Sequence, residues 1–404
     1  MRYKREKTYL FSCILCLITT SLLAHETQTA DILERLFKTE KALATQEKSQ
    51  SNQIKIGGVA RVNYSHTDYV SNADNQHRSG DFDFDMLRLD VDGKKDALLV
   101  SAQIRFFQYM YALRHAWIGY DFGKESQLQI GMVPMPFGIM PYNSNNFFFS
   151  ANYYIGFEDT HAMGLHWQYK AERFDLDLGF YKNDDMGGVD GFVDNRNKSY
   201  TYSIVGTGGL DANNEPRIAL AENNTFSVRS ALKVLKNENN SVELGLSGLY
   251  GDIVDVNKSA GRRYSYALHA LVDIGDLNIK LQALKYAIDL DNAYQEVSVG
   301  AYAWNDLIAT HTTSYTAHLA YKIKVEVGPL SEIKMYNDYS VLTDKSGGLE
   351  DTVMNATGMM LTAGYVYTYI DFFRAKNMPF IGGSMTGDTK DWNNRINVNI
   401  GYYF

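Results

Sequence analysis

The chain ends on Arg395-Ile396-Asn397-Val398-Asn399-Ile400-Gly401-Tyr402-Tyr403-Phe404. Ile396, Val398, Ile400, Tyr402 and Phe404 alternate there with Arg395, Asn397 and Asn399, and a period of two sends the two sets to opposite faces of a strand. One face is apolar and the other wet. The same alternation runs through Ile54, Ile56, Gly58, Ala60, Val62 and Tyr64 against Lys55, Arg61 and Asn63, and recurs at 98–104, 174–180 and 242–246. A soluble sandwich alternates too, so further features must decide. Strand ends carry Tyr64, Tyr120, Phe122, Tyr169, Tyr250, Tyr264 and Tyr402, as aromatic girdles at two bilayer interfaces would. Short turns at 93–96, 121–126, 170–173, 236–240 and 273–276 alternate with long polar loops at 66–81, 134–160, 183–223 and 289–311. The chain also stops on an outward aromatic, Phe404.

These features predict an all-β fold, a transmembrane antiparallel β-barrel over residues 53–404 with about sixteen strands, the first at 53–65 and the last at 392–404. An even count lets both ends lie on the same side. Segment 289–311 could add a hairpin, and the fourteenth and fifteenth strands are divided at Ala363-Gly364, so fourteen and eighteen are the neighbouring counts.

Residues 1–24 read as a signal peptide: basic Arg2, Lys4, Arg5 and Lys7, an apolar run over 10–23, then small Ala24. Cys13 and Cys16 both lie inside it, which leaves the mature chain without disulfides or thiolate sites. Removing four basic residues and one acidic one takes the net charge from −8 to −11, a balance that argues against nucleic-acid binding. Residues 25–52 form a polar periplasmic segment with a short N-terminal helix, in which Ile32, Leu36, Thr39 and Leu43 are spaced by fours and threes. That spacing suits either a solvated linker helix or a brief oligomerising seam. The segment is too short for a folded plug, which argues against an energised transporter.

Motifs for chemistry do not appear. Asp81-x-Asp83-x-Asp85 starts like a calcium loop, but Met86 stands where glycine is needed and no glutamate follows at the twelfth position. The nine histidines form no i, i+4 pair; His166 and His269 read as ordinary inward polar residues. Neither a G-x-S-x-G elbow nor a phosphate-binding loop occurs. No catalytic residue, metal site or cofactor is expected, and the chain is read as not an enzyme.

Several short motifs point to a family. Gly57-Gly58-Val59-Ala60-Arg61, the 84–92 segment with Arg88, Ala116-Trp117-Ile118-Gly119-Tyr120, and 131–138 with Pro136-Phe137-Gly138 are similar to the outer-membrane porins O and P, the phosphate-selective porin family. So are Gly156-Phe157-Glu158-Asp159 ahead of Gly164, and Gly328-Pro329-Leu330 opening a strand that ends at Asp338-Tyr339. The resemblance implies a homotrimeric sixteen-stranded channel in the bacterial outer membrane whose external loop, here 134–160, folds into the lumen as a constriction. It also implies lysines at that constriction, and here the sequence departs from it: nothing from Glu125 to Tyr169 is Lys or Arg. The loop offers Phe147, Phe148, Phe149, Tyr153, Tyr154 and Phe157 with Glu158 and Asp159. Those rings either wedge the loop against the wall or form a stacking track or hydrophobic constriction.

Alternation predicts the pore-lining basic residues Lys55, Arg61, Arg88, Arg105, Arg229, Lys233, Lys280, Lys322, Lys324 and Arg395. Inward acids are Asp90, Asp92, Asp175, Asp177 and Glu243, joined by Asp81, Asp83 and Asp85 if the strand shifts register near Met86. The two sets could pair across the wall as braces or leave a lumen that leans basic. The expected function is a passive diffusion channel for small hydrophilic solutes with an anion, phosphate-like lean. The alternative is a surface-interaction or adhesion barrel acting through its long loops, 183–223 above all. Expected partners are outer-membrane lipid and lipopolysaccharide, further copies of the chain, and the barrel-assembly machinery reading Phe404.

Overall fold

The computed structural model describes residues 52–404 apart from 124, 190–194 and 257. The expected signal peptide and the helical segment up to residue 51 lie outside the described residues. Ile54–Gly93 and Ala97–Phe404 form one compact unit.

Sixteen antiparallel strands close on themselves. In chain order they begin with β1 (Asn52–Thr67), β2 (Asp81–Lys95), β3 (Leu98–Phe106), β4 (Tyr111–Gly123), β5 (Ser126–Pro134), β6 (His161–Lys170) and β7 (Phe174–Asn183). The wall continues through β10 (Ala221–Lys236), β11 (Asn240–Val254), β12 (Ser259–Ile274), β13 (Leu277–Leu290), β16 (His311–Val327) and β17 (Leu330–Thr343). It ends with β18 (Thr352–Ala363), β19 (Val366–Lys376) and β20 (Asn393–Tyr403). All sixteen expected strands are present, and the fourteenth and fifteenth do part at Ala363. The segments 203–219 and 296–309 supply β8 (Ser203–Leu210), β9 (Pro216–Ala219), β14 (Glu296–Ala301) and β15 (Trp304–Ala309), which form a separate four-stranded sheet in the order β15-β14-β8-β9. The suspected hairpin in 289–311 therefore exists but leaves the wall count at sixteen.

Closure joins the two ends of the chain. β1 pairs with β20 from Val59–Tyr403 to Thr67–Arg395, and Gly58 and Phe404 exchange backbone hydrogen bonds of 2.9 and 3.1 Å. Gly58 is required by that seam: a Cβ there would stand 2.7 Å from the Phe404 ring and closer still to the Arg88 carbonyl.

The period-two pattern decides which side chains face out. Val228, Leu232, Leu244, Leu246, Leu268, Leu281, Leu319, Phe372, Ile396 and Ile400 are exposed, while Ser227, Arg229, Ser247, His269, Gln282, His318, Asp338 and Asn397 on the opposite face are buried. An apolar belt of this extent around a closed wall suits lipid and would be a liability in water. The alternation slips at two places. Phe82 and Phe84 are exposed, and so are Leu87, Leu89 and Val91, so Asp85 and Met86 both turn inward. Between β3 and β4 the register moves from Gln103–His115 to Ile104–Leu113, leaving Arg114 as the extra residue of a bulge.

The lumen is filled unevenly. The second sheet packs Ile204, Val297, Val299 and Ile308 against Leu249, Ile253, Leu284 and Ile288 on the inner faces of β11 and β13. Asp306 of β15 accepts hydrogen bonds from Ser384 and from the backbone of Met385 (2.9 Å), in the loop between β19 and β20. The sheet thus bridges the long-loop mouth and leaves open space along β1–β4.

Candidate functional site

Residues 135–160, between β5 and β6, run inside the barrel and are held by buried side chains of the far wall. Asp338 on β17 accepts the backbone N–H of Asn145 (2.6 Å) and Asn146 (2.8 Å) and both side-chain amides (2.9 and 2.8 Å). Gly138 donates to Ser247 (2.9 Å) and its carbonyl accepts from Arg229 (2.7 Å), while Ile139 donates to Gln282 (2.9 Å). Gly138 has φ +60°, and a Cβ there would collide with the Gln282 amide, so only glycine lets the loop lie against β13. Lys280 caps the carbonyls of Tyr142 (3.0 Å) and Ser144 (3.2 Å). Each anchor offers a backbone group a partner that it would otherwise lack away from water.

The two acids expected in the loop do not offer charge to the lumen. Glu158 folds the loop on itself, accepting from the backbones of Asn143, Ser144 and Ser150 (3.0, 3.0 and 2.9 Å) and from the hydroxyls of Ser144 (2.8 Å) and Ser150 (2.5 Å). Asp159 pairs with Arg114, whose Nε stands 3.0 Å away, and accepts the Tyr200 hydroxyl at 2.6 Å. Burial works against the charge of Asp159, yet Arg114 beside it holds the carboxyl below its ordinary value.

The six expected rings divide by depth. Tyr153, Tyr154 and Phe157 are buried beneath the second sheet, where Tyr153 shares a 2.7 Å hydrogen bond with Tyr302 at the tip of the β14–β15 turn. Phe147, Phe148 and Phe149 are half-buried and face the open side of the lumen. Phe157 thus lies wholly within the packed region, whereas Tyr153 and Tyr154 border the same cavity as Phe147, Phe148 and Phe149.

Two of the cavities on that open side flank the tip of the loop. One, of about 370 Å³ toward the long-loop mouth, is lined by Phe148, Tyr154, Tyr302, Phe380 and Arg395 among others. The second, of about 490 Å³ toward the short-turn mouth, is lined by Arg88, Lys280, Lys334, Tyr369 and Tyr403 among others. Arg61, Arg105, Phe147 and Phe149 line both. The passage between the halves therefore runs between two arginines of β1 and β3 and two rings of the loop.

All ten basic residues named from alternation lie on the inward-facing register, but in different company. Arg229 pairs with Glu243 (2.6 Å), Lys233 with Asp175 (2.8 Å), Arg61 with Asp85 and Arg88 with Asp90 (2.9 Å). Lys322 and Lys324 are exposed at the short-turn mouth, and Lys55 borders a cavity with Asp90 and Asp92. Arg105, Lys280 and Arg395 make no ion pair among the described residues. Arg105 is 7 % exposed, bonded to Gln103 at 2.9 Å and stacked 4.2 Å over Tyr200. Arg395 donates to the Phe380 carbonyl (3.0 Å) and to Asn397 (3.2 Å), with its guanidinium 4.7 Å over Phe148. Arg61 lies 4.5 Å over Phe147.

Some functional residues escaped the sequence reading. Arg114 sits on the β4 bulge, and the break in alternation there was its only signal. Lys334 lines the second cavity without an acid partner, its ammonium 5.8 Å from the Tyr336 ring. Asp338 was marked only as the end of a motif strand and not as an anchor, because its role depends on a loop almost two hundred residues upstream. Among the described residues no group of His, Cys, Asp and Glu could hold a metal ion.

A closed sixteen-stranded wall with an inward-folded loop after its fifth strand is the arrangement that the resemblance implied. Residues 54–215 match the phosphate-selective porin O and P family model. The motifs from Gly57 to Asp159 fall inside that span. The porin-type barrel also has solved structural counterparts. OmpT of Vibrio cholerae, in its trimer form, is 14% identical with a TM-score of 0.54, covering 88% of this chain and 100% of that one. An anion-selective porin from Comamonas acidovorans is 12% identical with a TM-score of 0.52, covering 87% and 100%. The outer-membrane channel DcaP of Acinetobacter baumannii is 11% identical with a TM-score of 0.53, covering 88% and 98%. At these identities the likeness is one of fold. No curated protein gives a match.

Proposed function

We propose that this chain is an outer-membrane porin, a passive diffusion channel that favours small anions. The observation that carries the reading is the fate of the inward charges. Glu158 and Asp159 are consumed in holding the loop, whereas Arg105, Arg395, Lys280 and Lys334 face the cavities with no carboxylate partner among the described residues. An uncompensated cation beside a narrow, low-dielectric passage attracts anions and repels cations from it. The fold-level likeness to a porin described as anion-selective agrees with this.

Assembly as a homotrimer follows the trimer form of the OmpT neighbour. Export through the signal in residues 1–24, insertion among outer-membrane lipid and lipopolysaccharide, and recognition of Phe404 by barrel-assembly machinery complete the reading. The test is the reversal potential of the purified protein in planar bilayers under a potassium chloride gradient. Chloride preference is expected, and clear potassium preference overturns the anion claim. Deleting Phe404 is expected to lower the amount of folded barrel in the membrane while leaving selectivity of the inserted fraction intact.

A further inference from the structure

The cavity on the long-loop side of the constriction is unusual for a site meant to pass a bare, strongly hydrated anion. It brings Phe147, Phe148, Phe149 and Tyr302 together with Arg61, Arg105 and Arg395, against Asp83 and Asp85, around about 370 Å³. The rings are ordered as a surface: Phe149 stacks on Tyr153 with centroids 4.2 Å apart and planes 19° from parallel, and Phe147 meets Phe148 edge-on at 5.4 Å. Three guanidiniums already lie over aromatic rings, Arg61 over Phe147, Arg105 over Tyr200 and Arg395 over Phe148. An arginine stacked by its face keeps its N–H edge free for an acceptor in the same plane. Among the described residues Arg105 spends only its Nε, on Gln103, and no acid claims the rest of its fork. Beside these edges stand the half-buried rings of Phe147 and Phe149, one backed by Arg61 and the other by Tyr153, with no lysine in the loop.

We propose that this chamber is a selectivity site for flat aromatic carboxylates of the benzoate type, which seat the carboxylate on the edge of Arg105 and the ring against Phe147 and Phe149, with Arg395 adding positive charge nearby. This deepens the anion-channel reading and rests on it. A carboxylate matches the arginine fork with two parallel hydrogen bonds. The attached ring gains aromatic contact of about 0.5–1.5 kcal/mol per pair beyond the area that it buries. Inorganic phosphate carries more charge and more bound water, and ring-lined walls return little of the hydration that it must shed. The departure from lysine to phenylalanine in the loop is thus a change of solute class.

The test is block of chloride current through the purified full-length protein in planar bilayers by three probes: benzoate, cyclohexanecarboxylate and inorganic phosphate. Benzoate and cyclohexanecarboxylate share charge and approximate size, and only benzoate is flat and aromatic. Half-block by benzoate is expected at a concentration about tenfold lower than for either other probe, a factor corresponding to about 1.4 kcal/mol. Phe147→Leu combined with Phe149→Leu is expected to erase the gap between benzoate and cyclohexanecarboxylate, and Arg105→Gln to weaken block by both. Equal block by the two carboxylates in the unaltered protein overturns the proposal, as does stronger block by phosphate. Chloride preference that survives such a result leaves the channel reading standing and sinks only the solute class. Potassium preference sinks the channel's anion lean itself.

Discussion

Two sets of strands in this barrel use inward charge in opposite ways. Along β6, β7, β10, β11 and β12, Asp177 holds Lys170 at 2.7 Å and His166 at 3.1 Å, Glu243 holds Arg229 at 2.6 Å and His269 at 3.2 Å, and Asp175 holds Lys233 at 2.8 Å. Charge there is a brace, neutralised within the wall. Along β3 and β20, Arg105 and Arg395 rest on rings and face the cavities. Charge there is a surface offered to whatever passes. The difference teaches that the number of inward basic residues says little about a pore, and that the number left without a carboxylate says much more.

The largest effect is expected where the loop is pinned to β17. Asp338→Ala removes the acceptor for four donors of Asn145 and Asn146, each buried donor left unmatched costing about 1–3 kcal/mol. The tip of the loop should leave β17, and single-channel conductance should rise severalfold with added noise. Unchanged conductance would show that the remaining anchors suffice. Next come the two kinds of arginine. Arg229→Gln leaves half-buried Glu243 with His269 alone, and should lower the urea concentration at which the barrel unfolds while moving the reversal potential little. Arg105→Gln should do the reverse, drawing the potassium chloride reversal potential severalfold toward neutrality with little loss of stability. If both substitutions act alike, the contrast between brace and surface fails.

The smallest effect lies outside the wall, just beyond β7. Burial, with the negative charge of neighbouring Asp184, pushes the Asp185 carboxyl up to about 8. A carboxyl that keeps its proton until about pH 8 when folded, but releases it near 4 when unfolded, favours the folded loop at low pH. That contribution declines as pH climbs from about 4 and is gone above about 8. Asp185→Asn removes the dependence, so the variant's loop over 184–220 should resist limited proteolysis better than the unaltered protein at pH 9 and about equally at pH 4. Equal susceptibility at both pH values would contradict the assignment.

The sequence by itself determined the sixteen wall strands, their boundaries to within a few residues, and the inward or outward sense of Arg61, Arg105, Arg229 and Arg395. Strand direction and side-chain alternation are local properties that a run of eight or ten residues fixes through the pleat. The break near Met86 was legible as a break, although which way the side chains turned was not. Only the tertiary structure decided that Arg229 meets Glu243 whereas Arg105 meets Tyr200. That choice depends on cross-strand register and on side chains from other loops. It alone showed that Asp338 receives a loop 193 residues earlier in the chain, and that β8 and β14, out of two loops read as polar, pair with each other into a bridging sheet. Such contacts join segments whose sequences carry no mark of one another, because they exist only after the wall has closed and brought them within reach.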